Sequence, residues 1–362
     1  MALANPKSNY MEGILNIGNL KLESGDIIEQ VHIAYERVGA KTGPIILVCH
    51  ALTGNQYTVG REEEPGWWNN LIGPNQLINT NVFQVITTNV IGGCNGSTGP
   101  TTINPSTKKQ YRGSFPFVTV RDMVQAQYKT LQKLGVKHLH AVIGGSLGGM
   151  QVLEWGILYP DFMNHLVPIA VTPYLSDYAI SFNSIARYAI TQDPLWENGD
   201  YSSKKGPDTG LSIARMIGMV TYRSDQLFNQ RFSRGLRSEW GKEHREQSFE
   251  VESYLTYQGK KLTKRFDTNS YLYLLKAMDS HDIGRDRGGW RDAAKQIKAK
   301  LLAISFKGDL LYPAEELKEL TEILEQLGRS SKFAYIDTAF GHDGFLVEFE
   351  RWGSILKEAL YS

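Results

Sequence analysis

The sequence predicts an α/β fold with a mostly parallel central sheet, helices on both of its faces and a helical insertion. Apolar runs without alternation, bounded by turn residues, are typical of strands buried on both faces of a parallel sheet. Such runs occupy residues 44–49, 82–87, 139–143, 165–171 and 300–306. From about residue 173 to 290 these runs are absent, and helical, polar and aromatic segments replace them.

The elements follow in order from local patterns. Residues 14–22 alternate with period two, a Gly25–Asp26 turn follows, and residues 28–35 are again strand-like, which predicts an antiparallel hairpin. Thr119 can cap an amphipathic helix that runs through Leu134 and ends at Gly135. Further helices are predicted at 150–159, 178–191, 211–222, 270–279, 314–327 and 345–360, with a strand at 333–336.

These elements divide the chain into two parts. Residues 1–172 and 297–362 form the predicted α/β core, and residues 173–296 form the helical insertion. A strand–helix–strand succession on both sides of the insertion favours one continuous sheet over two independent domains.

Composition excludes several classes of protein. The chain has 362 residues, of which 39 are Lys or Arg and 38 are Asp or Glu. Because these charges nearly cancel, no overall field attracts nucleic acid or a membrane surface. Two cysteines are too few for a disulfide scaffold or a four-cysteine zinc site. With no signal peptide in the first ten residues and no apolar run of about 20 residues, we expect a cytoplasmic protein.

The strongest local motif is G-x-S-x-G at Gly144, Ser146 and Gly148, between a predicted buried strand and a predicted helix. This context is that of a nucleophile elbow, where a strained turn exposes a serine at a helix N-terminus. A phosphate-binding loop is the alternative. A Walker loop, however, requires Lys followed by Ser or Thr, and the G-x-G-x-x-G spacing also fails here.

A nucleophilic serine needs a base and an acid, which follow it in the order Ser…Asp/Glu…His in such folds. His342 lies after the strand-like 333–336, and His281, inside the insertion, is its main rival. Asp309 follows the strand 300–306 and is the best candidate for the acid that orients the imidazole. Asp337 and Asp343 are the alternatives.

An oxyanion hole requires two backbone N–H donors. One should come from Leu147, directly after the serine, and the other from the loop after an earlier strand. That loop is His50-Ala51-Leu52-Thr53-Gly54, which makes Leu52 the expected second donor.

Several blocks of the sequence resemble homoserine O-acetyltransferases, in order and over nearly the whole chain from about residue 13. They comprise residues 49–54 (CHALTG), 66–68 (GWW), 89–100 (NVIGGCNGSTGP), 144–151 (GGSLGGMQ), 214–222, 280–285 (SHDIGR) and 341–343 (GHD). The resemblance implies an α/β-hydrolase fold whose insertion is a helical lid, and a homodimer formed through the lids. It implies no cofactor besides acetyl-CoA as co-substrate.

The resemblance also implies a ping-pong reaction through an acyl-serine, with L-homoserine as acceptor, in methionine biosynthesis. Arg215 would bind the homoserine carboxylate together with Tyr222, and Asp343 would meet its ammonium. These roles suit a zwitterionic substrate. A homoserine O-succinyltransferase, a serine O-acyltransferase, an esterase and a catalytically inactive binding protein of the same fold are the alternatives.

Overall fold

The structure, a computed structural model, describes residues 9–202, 205–237 and 248–361. The predicted core therefore lacks a description of residues 1–8 and 362, and the insertion lacks one of 203–204 and 238–247. The strands are β1 Met11–Lys21, β2 Ile27–Gly39, β3 Ile45–Cys49, β4 Ile72–Gly73, β5 Ile78–Asn79, β6 Gln84–Thr88, β7 Leu139–Gly145, β8 Met163–Ile169, β9 Lys300–Phe306 and β10 Ser331–Ile336.

Eight of these strands form one sheet in the order β1-β2-β6-β3-β7-β8-β9-β10. The strands from β6 to β10 in this order are parallel, while β2 is antiparallel to both β1 and β6. Every residue of β6 is buried, whereas β1 alternates between exposed and more buried positions. The predicted mostly parallel sheet with an N-terminal hairpin is thus confirmed.

Helices cover both faces of the sheet. The helices are α1 Val120–Lys133, α2 Leu147–Leu158, α3 Asp177–Thr191, α4 Asp208–Thr221, α5 Asp225–Phe232, α6 Glu250–Thr263, α7 Thr268–Asp279, α8 Trp290–Ala294, α9 Ala314–Gln326, α10 Gly344–Val347 and α11 Phe349–Tyr361. Within the part of the chain that the structure describes, 3₁₀ segments lie at Arg112–Ser114, Pro194–Gly199 and Gly341–Asp343. Buried apolar clusters of described residues fill the space between the sheet and the helical layers on its two faces.

Local chemistry explains where the helices begin and end. Thr119 and Asp122 form a reciprocal capping box at the start of α1. The single helix predicted for residues 345–360 is instead two helices, because the chain leaves helical geometry at Glu348. The Glu348 carboxylate accepts hydrogen bonds from the Thr338 hydroxyl and from Nε of Arg351, which tie it to neighbouring elements.

The segment between β8 and β9 contains the six helices α3–α8 among its described residues. It follows the sixth strand of the main sheet along the chain. No helix within the described residues is long and apolar enough to cross a membrane.

Candidate active site

Ser146 lies at the turn between β7 and α2. Its φ of 58° and ψ of −125° are a strained conformation for a residue with a side chain. A Cβ on Gly148 would come 2.1 Å from the carbonyl oxygen of Cys49, and one on Gly144 would come 2.8 Å from the same oxygen. The two glycines of the motif are therefore required because α2 begins against the end of β3.

His342 and Asp309 come from two neighbouring loops at the carboxyl ends of β10 and β9. Nδ1 of His342 lies 2.7 Å from Oδ2 of Asp309. Oδ1 of Asp309 accepts the backbone N–H groups of Leu311 and Tyr312 at 2.9 and 3.0 Å. The carboxylate is thus held by its own turn, and it leaves Nε2 as the free nitrogen of the imidazole.

The alternative residues lie elsewhere. His281 is buried, with Nε2 3.0 Å from the carbonyl oxygen of Thr172, and burial lowers its pKa to about 4. Asp337 has a largely exposed side chain, paired with Lys307 at 3.0 Å. The structure therefore places Asp309, and not Asp337, beside His342. The alternative base, His281, contacts the carbonyl oxygen of Thr172 instead.

The surroundings of His342 adjust its basicity. Burial lowers the pKa of the imidazole, but the charge of Asp309, its hydrogen bond and then the charge of Asp343 outweigh burial, so the pKa lies above its ordinary value. The rings of Tyr312, Phe345 and Tyr222 pack around it at centroid distances of 5.0, 5.5 and 5.6 Å. These rings restrict the imidazole to its plane beside Asp309.

A cavity of about 250 Å³ joins the candidate residues. Of the residues predicted from the sequence, Ser146, His342, Leu52, Arg215, Tyr222 and Asp343 line it. Asp309 lies behind His342, and the side chain of Leu147 is fully buried in the core. The cavity therefore contains a hydroxyl, an imidazole, a guanidinium and a carboxylate, which is enough for acyl transfer to a zwitterion.

The loop that carries Leu52, residues 50–54 (the Leu52 loop), is held by buried groups. Nδ1 of His50 donates to the carbonyl of Ala51 at 2.8 Å, and Nε2 accepts the N–H of Val90 at 3.0 Å. Burial lowers the pKa of His50 to about 4, against the raising effect of its hydrogen bonds, so the ring stays neutral. Within the described residues, the backbone N–H groups of Leu52 and Leu147 have no hydrogen-bond acceptor.

Gln151 connects the two halves of this arrangement. Its Nε2 donates to the carbonyls of His50 at 3.3 Å and Leu147 at 3.0 Å, and its Oε1 accepts from Gln127 at 2.7 Å. The residue is fully buried. Gln151 therefore fixes the distance between the segment that carries Leu52 and the segment that carries Leu147.

The predicted substrate-binding residues lie on α4 and beside His342. The guanidinium of Arg215 stands 5.8 Å from the ring centre of Tyr222 and forms no ion pair with a described carboxylate. Burial raises the pKa of Tyr222, the charge of Arg215 lowers it, and that of Asp343 raises it. Asp343 is paired with Arg223, whose Nε lies 3.0 Å from Oδ2.

Three consecutive residues after α4 hold residues 339–343, the histidine loop. The backbone N–H of Asp343 donates to the carbonyl of Tyr222 at 2.9 Å, Arg223 pairs with the Asp343 carboxylate, and the Ser224 hydroxyl donates to the carbonyl of Ala339. The insertion is thus joined directly to the loop that carries the candidate base.

The sequence reasoning missed Gln151, Arg223, Ser224 and Tyr312. Gln151 is the last residue of the block 144–151, and Arg223 and Ser224 directly follow the block 214–222. Their position in or next to these blocks was the signal available in the sequence. A metal was not indicated at the sequence level. In the described portion of the chain no cluster of three or more His, Cys, Asp or Glu side chains could hold one.

Comparison with known proteins gives the context of this geometry. A family model described as alpha/beta hydrolase fold matches residues 44–349. A homoserine O-acetyltransferase of Carboxydothermus hydrogenoformans is 43% identical over 94% of this chain and 92% of its own length. The crystal structure of a homoserine O-acetyltransferase from Bacillus anthracis superposes with a TM-score of 0.92 at 26% identity, covering 99% of both chains.

A second solved structure is that of an esterase. Esterase E22 superposes with a TM-score of 0.90 at 27% identity, over 97% of this chain and 100% of its own. The same architecture therefore supports both acyl transfer to an amino acid and ester hydrolysis, and the residues around the cavity must decide between them.

Proposed function

We propose, for a chain that belongs to the homoserine O-acetyltransferase family of the α/β-hydrolase fold, that Ser146 carries an acetyl group from acetyl-CoA to the hydroxyl of L-homoserine. The reaction is a step of methionine biosynthesis. The observation that carries this proposal is the cavity in which Ser146 and the Asp309-bound His342 lie beside the carboxylate of Asp343 and beside Arg215, which forms no ion pair with a described residue.

In the first half-reaction, Nε2 of His342 takes the proton of the Ser146 hydroxyl as Oγ attacks the thioester carbonyl of acetyl-CoA. The tetrahedral intermediate places its negative oxygen at the N–H groups of Leu52 and Leu147. The C–S bond then breaks, the CoA sulfur leaves with the proton from His342, and acetyl-Ser146 remains. Asp309 stabilises the imidazolium in between.

In the second half-reaction, the homoserine hydroxyl replaces the thioester. His342 accepts the hydroxyl proton while the oxygen attacks the acetyl carbonyl, and the same oxyanion hole receives the charge. Collapse of the intermediate breaks the bond to Oγ, returns the proton to Ser146 and releases O-acetylhomoserine.

Recognition of the acceptor rests on charge. A guanidinium binds a carboxylate in bidentate fashion, and Arg215 has no protein carboxylate to compete for it among the described residues. Asp343 is already shared with Arg223 at 3.0 Å, so the substrate ammonium would take up the remaining lone pairs of that carboxylate. Tyr222 supports the proposal because its ring lies near both groups, 5.8 Å from the guanidinium of Arg215 and 5.6 Å from the imidazole of His342.

A mass measurement after mixing with acetyl-CoA alone tests the first half-reaction. We expect a single acetyl adduct on Ser146 that disappears on addition of homoserine, and no adduct in Ser146→Ala. Absence of an adduct with any acyl-CoA, together with full activity of Ser146→Ala, would refute the mechanism.

A panel of two donors and two acceptors tests the substrates. Acetyl-CoA with homoserine should be fastest. A preference for succinyl-CoA would identify a succinyltransferase, which needs a further cation near the acyl tail. Serine differs from homoserine by one methylene, worth only about 1–3 kcal/mol of discrimination. The likeness to esterase E22 favours hydrolysis as the second candidate. CoA release that does not depend on the amino acid would support it.

Three further proposals concern the whole protein. The insertion, residues 173–296, acts as the lid of the cavity, because Arg215 on α4 and Tyr222 directly after it line that cavity.

A homodimer through the insertion is supported by exposed apolar side chains at positions i, i+7 and i+10 of α3. These are Tyr178, Ile185 and Tyr188, which are 57, 54 and 66% exposed. Ile185→Glu should then give a lighter species in sedimentation, unlike Ile103→Glu, which changes an exposed apolar residue outside the insertion. The free thiols Cys49 and Cys94 support a cytoplasmic location.

A further inference from the structure

We propose that Arg265 is a positioning residue for the oxyanion hole, which holds the loop of Leu52 from the helical insertion. The inference rests on the proposed function, because an oxyanion hole is needed only if Ser146 is acylated. Neither the sequence motifs nor the mechanism above assigns a role to this residue.

The guanidinium of Arg265 reaches the Leu52 loop directly. The residue lies in the short connection between α6 and α7, where its backbone N–H donates to the carbonyl of Leu262 at 2.9 Å. Its Nη1 donates to the backbone carbonyl of Thr53 at 2.9 Å, and its Nη2 lies 3.4 Å from the Thr53 hydroxyl. Thr53 immediately follows Leu52, the proposed donor.

These bonds fix both ends of one peptide unit. The N–H of Gly54 donates to the carbonyl of Ala51 at 2.9 Å, which closes a turn with Leu52 and Thr53 at its centre. The carbonyl of the same peptide unit is the one that Arg265 holds. Since His50 donates to the carbonyl of Ala51, the turn is anchored to the core at one end and to the insertion at the other. The direction of the Leu52 N–H depends on both anchors.

The positive charge of Arg265 is not balanced by an ion pair with any described residue. Arg265 is exposed, but loss of solvent around its guanidinium, and then the positive charge of Arg215, lower the pKa of that group, and no carboxylate of the described residues offsets them. Arginine nevertheless keeps its proton in proteins. Repulsion between the charges of Arg215 and Arg265 does not favour folding. The same placement favours the reaction, because negative charge develops on the carbonyl oxygen beside Leu52.

The oxyanion hole serves both half-reactions, which separates this role from substrate binding. The test measures acylation of Ser146 by p-nitrophenyl acetate and by acetyl-CoA in single turnovers, and then deacylation by homoserine. We expect Arg265→Ala to slow all three by about 10- to 100-fold, less than the 10²–10³ typical of losing an oxyanion donor outright. The KM for homoserine should change less than about threefold, because Arg215, and not Arg265, is the proposed ligand of the substrate carboxylate.

Matched variants control for folding and charge. Lys264→Ala removes the adjacent exposed cation, for which no side-chain hydrogen bond occurs among the described residues, and should behave as the parent protein. Arg265→Lys keeps one donor and should retain more activity than Arg265→Ala, and added guanidinium should partly restore the alanine variant. If Arg265→Ala does not fold, the lysine variant carries the test, with a slower acylation as the expected result.

Three outcomes would overturn the proposal. Unchanged acylation with a raised KM for homoserine would make Arg265 a second carboxylate ligand beside Arg215. Slower acylation by acetyl-CoA alone, with p-nitrophenyl acetate unaffected, would make it a CoA ligand. Full activity of both Arg265 variants would leave it without a role in the reaction. Failure of the parent protein to form any acyl-serine would instead refute the proposed function.

Discussion

Replacement of Asp309 by Asn tests whether this carboxylate sets the basicity of His342. The substitution Asp309→Asn would remove the negative charge that lies 2.7 Å from Nδ1 while keeping the size of the side chain. Burial, which lowers the pKa of His342, would then dominate over the remaining influence of Asp343. The pKa of the imidazole should therefore fall from above its ordinary value to below it.

The sign and size of the effect follow from this geometry. His342 acts as a base only when neutral, so acylation is lost as the pH falls through its pKa. A hydrogen bond to a charged group contributes about 1.5–3 kcal/mol, and about 1.36 kcal/mol corresponds to one pKa unit. The acidic limb of the acylation profile should move down by about one to two pH units. The plateau should drop by about 10³- to 10⁴-fold, because the wrong tautomer of His342 is then favoured.

The assay is the single-turnover rate of Ser146 acylation by p-nitrophenyl acetate as a function of pH, with acyl-enzyme counted by mass. Asp343→Asn should shift the limb in the same direction by less, since Asp343 is the weakest of the influences that raise this pKa. Asp337→Asn, which loses only an exposed pair with Lys307, should leave limb and plateau unchanged. Two results would contradict our assignment of Asp309 as the acid. One is a maximal acylation rate of Asp309→Asn within tenfold of the parent rate, and the other is an acidic limb of its pH profile that stays in place or moves to higher pH.

Three other substitutions have distinct expected results. Arg215→Ala should raise the KM for homoserine by about 10²-fold or more and leave acylation by acetyl-CoA nearly intact, since a charged hydrogen-bonded pair is worth several kcal/mol; equal damage to both half-reactions would argue against the carboxylate role. Gly148→Ala places a Cβ 2.1 Å from the Cys49 carbonyl and should lower the free energy of unfolding by about 1–3 kcal/mol while reducing acylation more than tenfold, as urea unfolding and burst kinetics would show. Gln151→Leu removes the side-chain hydrogen bonds to the buried amide of Gln127 and to the carbonyls of His50 and Leu147. We expect the free energy of unfolding in urea to fall by about 2–3 kcal/mol, and an unchanged unfolding midpoint would refute the linking role of Gln151.

Local patterns predicted most of the sheet. The apolar runs before Ser146 and Asp309 are short and bounded by turn residues, which is typical of strands buried on both faces of a parallel sheet, and β9 has the predicted bounds. The helix expected over 345–360 is broken at Glu348, because the partners of that carboxylate, Thr338 and Arg351, are set by tertiary contact and not by periodicity.

The residues that react were easier to identify than the residues that hold them. Ser146 and His342 stand at strand ends and in motifs, and the order of the chain limits the candidates for the acid. The pairing of Asp343 with Arg223 and the bonds of Gln151 depend on how α4 and α2 are placed in space. No spacing in the sequence encodes these distances, because the partners come from different layers of the fold.

The joint between α4 and the histidine loop restricts how reactants enter and leave. An outward rotation of the insertion would break the bonds that Tyr222, Arg223 and Ser224 form with the histidine loop. The same rotation would move His342 away from Asp309. We therefore expect the insertion to stay in place through turnover, as the fixed wall of a passage. A thioester at the end of a narrow, flexible arm can travel along such a passage while its bulky nucleotide remains outside. The width of the entrance, rather than a gating motion, would then set the order and the rate of substrate exchange.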